Sequence, residues 1–371
     1  MSTDRELAGV LSGVYHYGAR VDAWLGSRYL GRVPVAGGSV AWSTSQKVQG
    51  SLSLSVPRTG AATEGGPVAD WAPTTPWSPL ACYGQVLHVS ATVTSPLTGR
   101  RWTRPLGRFS VTSWDLRADT VSVTGKSLLA GVEEDRLVSP VTPLAGGTLA
   151  SEARRLLGAH AGLVVDPALE DRAAPASMCW QESRIDALYE IAEAWPARLR
   201  EGRDGVVRLL PALAPPVVAP GRVLTDGQDG TVVGVTSSAT RDKVYNRVVV
   251  RSQGSGEGAP TVQEVAEQTV GPMSVTGPYG AVTRFFSSPL VATSAGALAT
   301  ARSLLRTSLA RSLTLPVEVP PDPTLVLDEA VAVVTSPVRG TAPTTWWGRV
   351  SAVETPLVDT GRARVDVEVV L

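Results

Sequence analysis

Three histidines, His16, His88 and His160, are the first candidates for chemistry. None has a second His or Cys at metal-ligand spacing, so no metal site is expected. His88 lies in the alternating stretch Val86-Leu87-His88-Val89, His160 just past a helical pattern, and His16 between Tyr15 and Tyr17. Each reads as an ordinary surface or edge histidine. A serine nucleophile needs a strained turn of the Gly-x-Ser-x-Gly type. Gly37-Gly38-Ser39 lacks the following glycine, and Gly254-Ser255-Gly256-Glu257-Gly258 has no helix behind it. The phosphate-loop and dinucleotide patterns are absent. Glu133-Glu134-Asp135 is the densest carboxylate cluster. Glycoside hydrolysis needs two carboxylates converging across a cleft, and three neighbours on a chain point different ways, which suits a solvated turn. Glu264 and Glu267 fall in a strand-like pattern. No catalytic residue, cofactor site or metal site is therefore expected. Among ten tryptophans, Trp71 and Trp77 lie in a Pro-rich loop, and Trp346-Trp347 begins a strand. Adjacent strand residues face opposite sides, so one of Trp346 and Trp347 belongs to a core and the other faces a partner or solvent.

Composition narrows the function classes. A chain of 371 residues suggests two to four domains, and 43% hydrophobic against 18% charged residues supports real cores. Basic and acidic residues balance at 34 each, which lacks the footprint of a dedicated nucleic-acid binder and does not exclude a channel through which DNA passes unheld. Only Lys47, Lys126 and Lys243 among those 34 basic residues are lysines, the usage of a GC-rich genome. Cys82 and Cys179 are too few for a disulfide scaffold and are expected to be buried as small apolar residues. Met1–Val10 is mixed polar and charged, and no segment reaches the length of a membrane span, so a chain made in the cytoplasm and soluble until it assembles is expected.

The elements that must position these residues are mostly strands. Arg20–Leu25 and Arg28–Val33 flank a Gly26-Ser27 turn. Ser39–Ser43, Ser51–Val56, Gln85–Val93, Gly107–Asp115 and Thr120–Thr124 follow, with a Gly/Pro-rich loop at Gly60–Pro79. The pattern then changes. Thr148 caps a helix to Ala159, Leu163–Val165 is a short strand, and Ser183 caps a helix to Ala194. Ala197–Arg200 and Val206–Leu210 form a hairpin, and Pro211–Pro220 reads as a stiff linker. Strands return at Thr231–Ser237, Val244–Ser252, Thr261–Val270, Ser312–Val319, Ala330–Thr335, Trp346–Val353 and Arg362–Leu371, with Gly254–Ala259 as a tip. Ser294 caps one helix, Ala295–Ala310, whose stripe is Leu298, Ala301, Leu305 and Leu309. This helix is expected across the outer face of the last strand block. The layout is mainly β with an α+β insert: residues 1–126, an insert at 127–215, and residues 216–371. No short sequence repeat links the two strand blocks.

Three stretches give this order a family likeness. They are Val121–Leu137, Trp180–Pro211 with its Asp204-Gly205 hairpin, and Tyr245–Val250 through Leu298–Leu327, including Val317-Glu318-Val319-Pro320-Pro321-Asp322-Pro323. In order and spacing the chain resembles the tail-hub family of tailed bacteriophages. That resemblance implies two tube-like β-barrel domains bracketing a small α/β domain. It also implies three copies in a ring, so that six barrels meet a hexameric tail tube or distal tail protein above and a threefold tip, spike or fibre below. A tape-measure protein is a further implied neighbour, and DNA transits the channel without specific binding. The expected location is the virion tail tip. The alternatives are another tail component, such as a distal tail ring or receptor-binding module, and a β-rich cell-wall hydrolase.

Overall fold

The computed structural model describes residues 2–63, 65–213, 221–227, 230–252, 262–291, 293–310, 313–336 and 342–369. Most of the expected linker Pro211–Pro220 and the whole Gly254–Ala259 tip lie outside the described residues.

The chain opens with helix α1 (Ser2–Leu11), which the sequence reading did not include; Leu7 anchors it in a core. The first strand block is β1 (His16–Leu25), β2 (Arg28–Val33), β3 (Gly37–Ser43), β4 (Gly50–Pro57), β5 (Thr59–Ala61), β6 (Val68–Asp70), β7 (Gln85–Thr94), β8 (Arg101–Arg117) and β9 (Thr120–Ser127). Strict alternation drives these strands: along β4, Leu52, Leu54 and Val56 are buried while Ser51 and Ser53 are exposed. The short pair β5–β6 lies inside the loop expected at Gly60–Pro79.

The middle segment holds α2 (Leu129–Glu134), α3 (Leu149–Leu157), β10 (Gly162–Val165), α4 (Arg184–Ala194), β11 (Ala197–Glu201) and β12 (Val206–Pro211). Thr148 and Ser183 cap α3 and α4 by accepting the backbone N–H of Ser151 and Asp186. The last segment holds β13 (Arg222–Thr225), β14 (Gly234–Val235), β15 (Ser238–Ala239), β16 (Arg247–Arg251), β17 (Gln263–Glu267), β18 (Thr283–Ser287), α5 (Ser294–Ala310), β19 (Leu313–Val319), β20 (Ala330–Thr335), β21 (Thr344–Pro356) and β22 (Ala363–Val369).

Both strand blocks belong to one 14-stranded sheet, ordered β14-β19-β22-β21-β3-β4-β9-β8-β7-β1-β2, with β13 on β20, β20 on β21 and β15 on β19. No barrel closes among the described residues. The second block comes near to it: Val232 N–H donates to Thr225 C=O at 3.0 Å and Val233 N–H to Glu318 C=O at 2.8 Å. Two small sheets, β10-β12-β11 and β17-β16-β18, stand apart.

Three cores follow. One lies in the first block from Leu7 to Val123 and takes in Leu357. One lies in the second block around Leu315, Val317, Val333, Val353 and Val367. The third joins the middle segment to β16, β17 and α5. Helix α5 packs on β16 and β17, strands of the block where it was expected, but within this third core and not the second-block core. Ala301 and Leu305 are buried in the third core and Leu309 packs against it, whereas Leu298 is only half-buried. The cause is the inserted sheet β16–β18, which offers α5 an apolar face beside α4.

The two blocks repeat one topology. Strands β3-β4-β9-β8-β7 are neighbours in that order, all antiparallel, and β14/β15-β19-β22-β21-β20 follow the same order and chain sequence. The correspondence holds residue by residue. In β8, Phe109, Ser110 and Val111 pair with Ser127, Lys126 and Gly125, then Thr112 bulges and Ser113 pairs with Thr124. In β21, Gly348, Arg349 and Val350 pair with Val369, Glu368 and Val367, then Ser351 bulges and Ala352 pairs with Asp366. Strands β7 and β20 both leave the long strand at equivalent residues, Ser110 and Arg349. The repeat is one of pairing and burial, which different side chains satisfy equally well.

Candidate assembly site

The two repeats meet where β21 outlasts β20. Beyond Arg349, the vacated edge of β21 is filled by β3, with Ala352 opposite Ser43, Val353 opposite Trp42, Glu354 opposite Ala41 and Pro356 opposite Ser39. Thr44 N–H extends the ladder to Ser351 C=O at 2.8 Å, and Ser39 Oγ donates to Glu354 Oε1 at 2.8 Å. Tyr17 Oη donates to Pro356 C=O at 2.8 Å, and burial pushes the Tyr17 hydroxyl pKa well up. Gly38 permits the close approach of β3 to β4: its φ is 120°, and a Cβ there would lie 2.1 Å from Ser53 C=O.

The hairpin β11–β12 is wedged beside this seam. Arg198 and Arg200 both pair with Asp328, the Arg200 Nε bond being 2.7 Å. Asp328 has φ 66°, a left-handed conformation tolerated by Asp and Asn. Arg203 donates to the carbonyls of Pro323 and Leu325, and burial pushes its pKa down to about 10. Gln49 ties the wedge to the first block, donating to Leu199 C=O at 2.8 Å and accepting Glu201 N–H at 3.1 Å. Glu201 accepts Leu128 N–H at 2.7 Å, and burial pushes its carboxyl pKa up. These groups satisfy one another and tie the hairpin to both blocks.

The chemistry-bearing residues scatter. His16 is exposed, His88 stacks on Trp24 at 5.4 Å, and His160 Nε2 lies 3.0 Å from Asp135. Glu133, Glu134 and Asp135 are exposed at the end of α2. Glu264 accepts from Ser294 and Glu267 pairs with Arg247, both on strand β17. Cys82 and Cys179 are exposed, contrary to the burial expected of them. Trp346 packs against the second-block core, and Trp347 is 41% exposed on the other face. Among the described residues no three His, Cys, Asp or Glu side chains gather as a metal site, and no helix is long and apolar enough to cross a membrane. The seam itself was not legible in the sequence; its one local signal was the Gly37-Gly38 pair ahead of an alternating strand.

No protein-family model and no curated protein matches the sequence. Solved structures do match the fold. The 43 kDa tail protein of prophage MuSo2 from Shewanella oneidensis aligns at 15% identity and TM-score 0.58, covering 94% of this chain and 98% of that one. A tail protein from Neisseria meningitidis aligns at 12% identity and TM-score 0.60, covering 95% and 96%. The prophage tail protein gp18 from Listeria monocytogenes aligns at 9% identity and TM-score 0.55, covering 94% of each. Nearly the whole chain, both repeats and the segments between them, has the fold of phage tail proteins.

Proposed function

We propose that the chain is a non-enzymatic structural subunit of a phage-type tail tip, a hub of which three copies form a ring. The observation that carries this reading is the internal repeat. Two equivalent β units side by side in one chain let a threefold ring present six equivalent positions to a hexameric tail tube, and a threefold face to the tip below. Residues 1–126 and 216–371 supply the two tube-like barrel units, and 127–215 the peripheral insert. Partners in this reading are two further copies, the tube or distal tail protein, a tip, spike or fibre protein, and a tape-measure protein; the location is the virion.

The continuous sheet also suits a channel wall. At the seam Val40, Trp42 and Val353 face the cores, while Ala41, Ser43, Ala352 and Glu354 lie on the other face. The middle of that face carries Ser51, Ser53, Ser55, Ser122 and Thr124 with Lys126 opposite Ser51, and toward the second block Arg364 lies between Glu354 and Glu318, with Asp366 two residues on. Lys126 and Arg364 on this face pair with Glu133 and Asp366, so the wall offers a polyanion little to hold it and DNA slides. Quantitative mass spectrometry of purified tails tests the reading. Three copies per tail are expected; one or six contradict it.

A further inference from the structure

The repeat leaves one position unfilled. In β21 the edge beyond Arg349 is covered by β3, but the equivalent edge of β8, beyond Ser110, has no strand against it among the described residues. Burial records the difference. Thr355 of β21 is 1% exposed beneath β3, whereas its equivalent in β8, Leu116, is 41% exposed. The counterpart of β3 is the segment Gly234–Thr240, since Gly234 pairs with Glu318, and Ala239 with Leu313, as Gly37 and Trp42 pair with Ser55 and Gly50. In β3, Val40 and Trp42 are 1% and 3% exposed, but residues 236–240 are all exposed. One chain thus carries both halves of a second seam, each open among the described residues.

We propose that, in the ring inferred above, residues 113–117 of β8 take residues 236–240 of the neighbouring copy as an added antiparallel strand. The pairing repeats the seam inside the chain: Ser113 meets Thr240, Asp115 meets Ser238 and Arg117 meets Thr236. Leu116 comes opposite Ser237, as Thr355 comes opposite Val40. Such a contact joins two different surfaces, so it propagates head to tail and closes when the rotation per unit allows. It also covers two strand edges that otherwise invite aggregation, and it makes the sheet continuous from copy to copy.

The test is a disulfide in register. The full-length chain with Cys82→Ser and Cys179→Ser receives Leu116→Cys and Ser237→Cys and is oxidised at high concentration. Covalent dimers and a closed covalent trimer are expected. The pair Ser113→Cys with Ser237→Cys, out of register and on opposite faces, should lose that product at least tenfold. Equal linking by both pairs, or monomers only, overturns the edge pairing. If either occurs while tails still hold three copies, the ring stands and its contact lies elsewhere. A copy number other than three removes the ring itself.

Discussion

Asp328 shows how single residues hold this molecule. Its carboxylate is only 11% exposed and faces Arg198 and Arg200, whose side chains are 23% and 18% exposed. Asp328→Asn keeps a residue suited to φ 66° and removes the charge. The two guanidiniums then face each other across a seam with no anion between them. A loss of about 2–4 kcal/mol is expected in chemical denaturation, larger than for any exposed ion pair such as Arg362–Glu318. Gly38→Ala should cost about 3 kcal/mol or more, since it adds a Cβ 2.1 Å from Ser53 C=O at a φ of 120°; the fall in melting temperature measures it. Among the described residues the three histidines lie apart from one another and from this junction, with His160 beside Asp135, and no three His, Cys, Asp or Glu side chains gather as a metal site.

The elements were legible in proportion to how local their signals are. Strand β2 (Arg28–Val33) and strand β20 (Ala330–Thr335) match the pattern at both ends, and Thr148 and Ser183 cap the helices the sequence points to. Helix α1 was hidden because Met1–Val10 is mixed polar and charged; among its described side chains Leu7, Val10 and Leu11 meet a core. Strands β13 and β18 were hidden because each is four or five residues in a parallel pairing with a distant strand, which no local alternation reveals. The site of α5 was also illegible. Its stripe announces an apolar face, but which core takes that face depends on β16–β18. Leu305→Asp therefore puts a charge into the core shared with α4. It should destabilise by about 4 kcal/mol or more in denaturant titration, and tails should fail to incorporate the variant.

At the scale of the molecule, the repeat is carried by pairing geometry and not by residue identity, so a single sequence conceals it. Val111 and Val350 occupy equivalent places, but Ser110 corresponds to Arg349 and Lys126 to Glu368. Only alternation and the bulge are kept, because those decide which side chains enter a core. Two such units in one polypeptide make a threefold assembly with six similar positions physically reasonable. The most direct measurement is a reconstruction of the tail tip computed without imposed symmetry. The account predicts three copies around a pore, with six superimposable five-strand units at equal radius. A ring in which the first and second blocks lie at different radii, or one built from six chains, contradicts it.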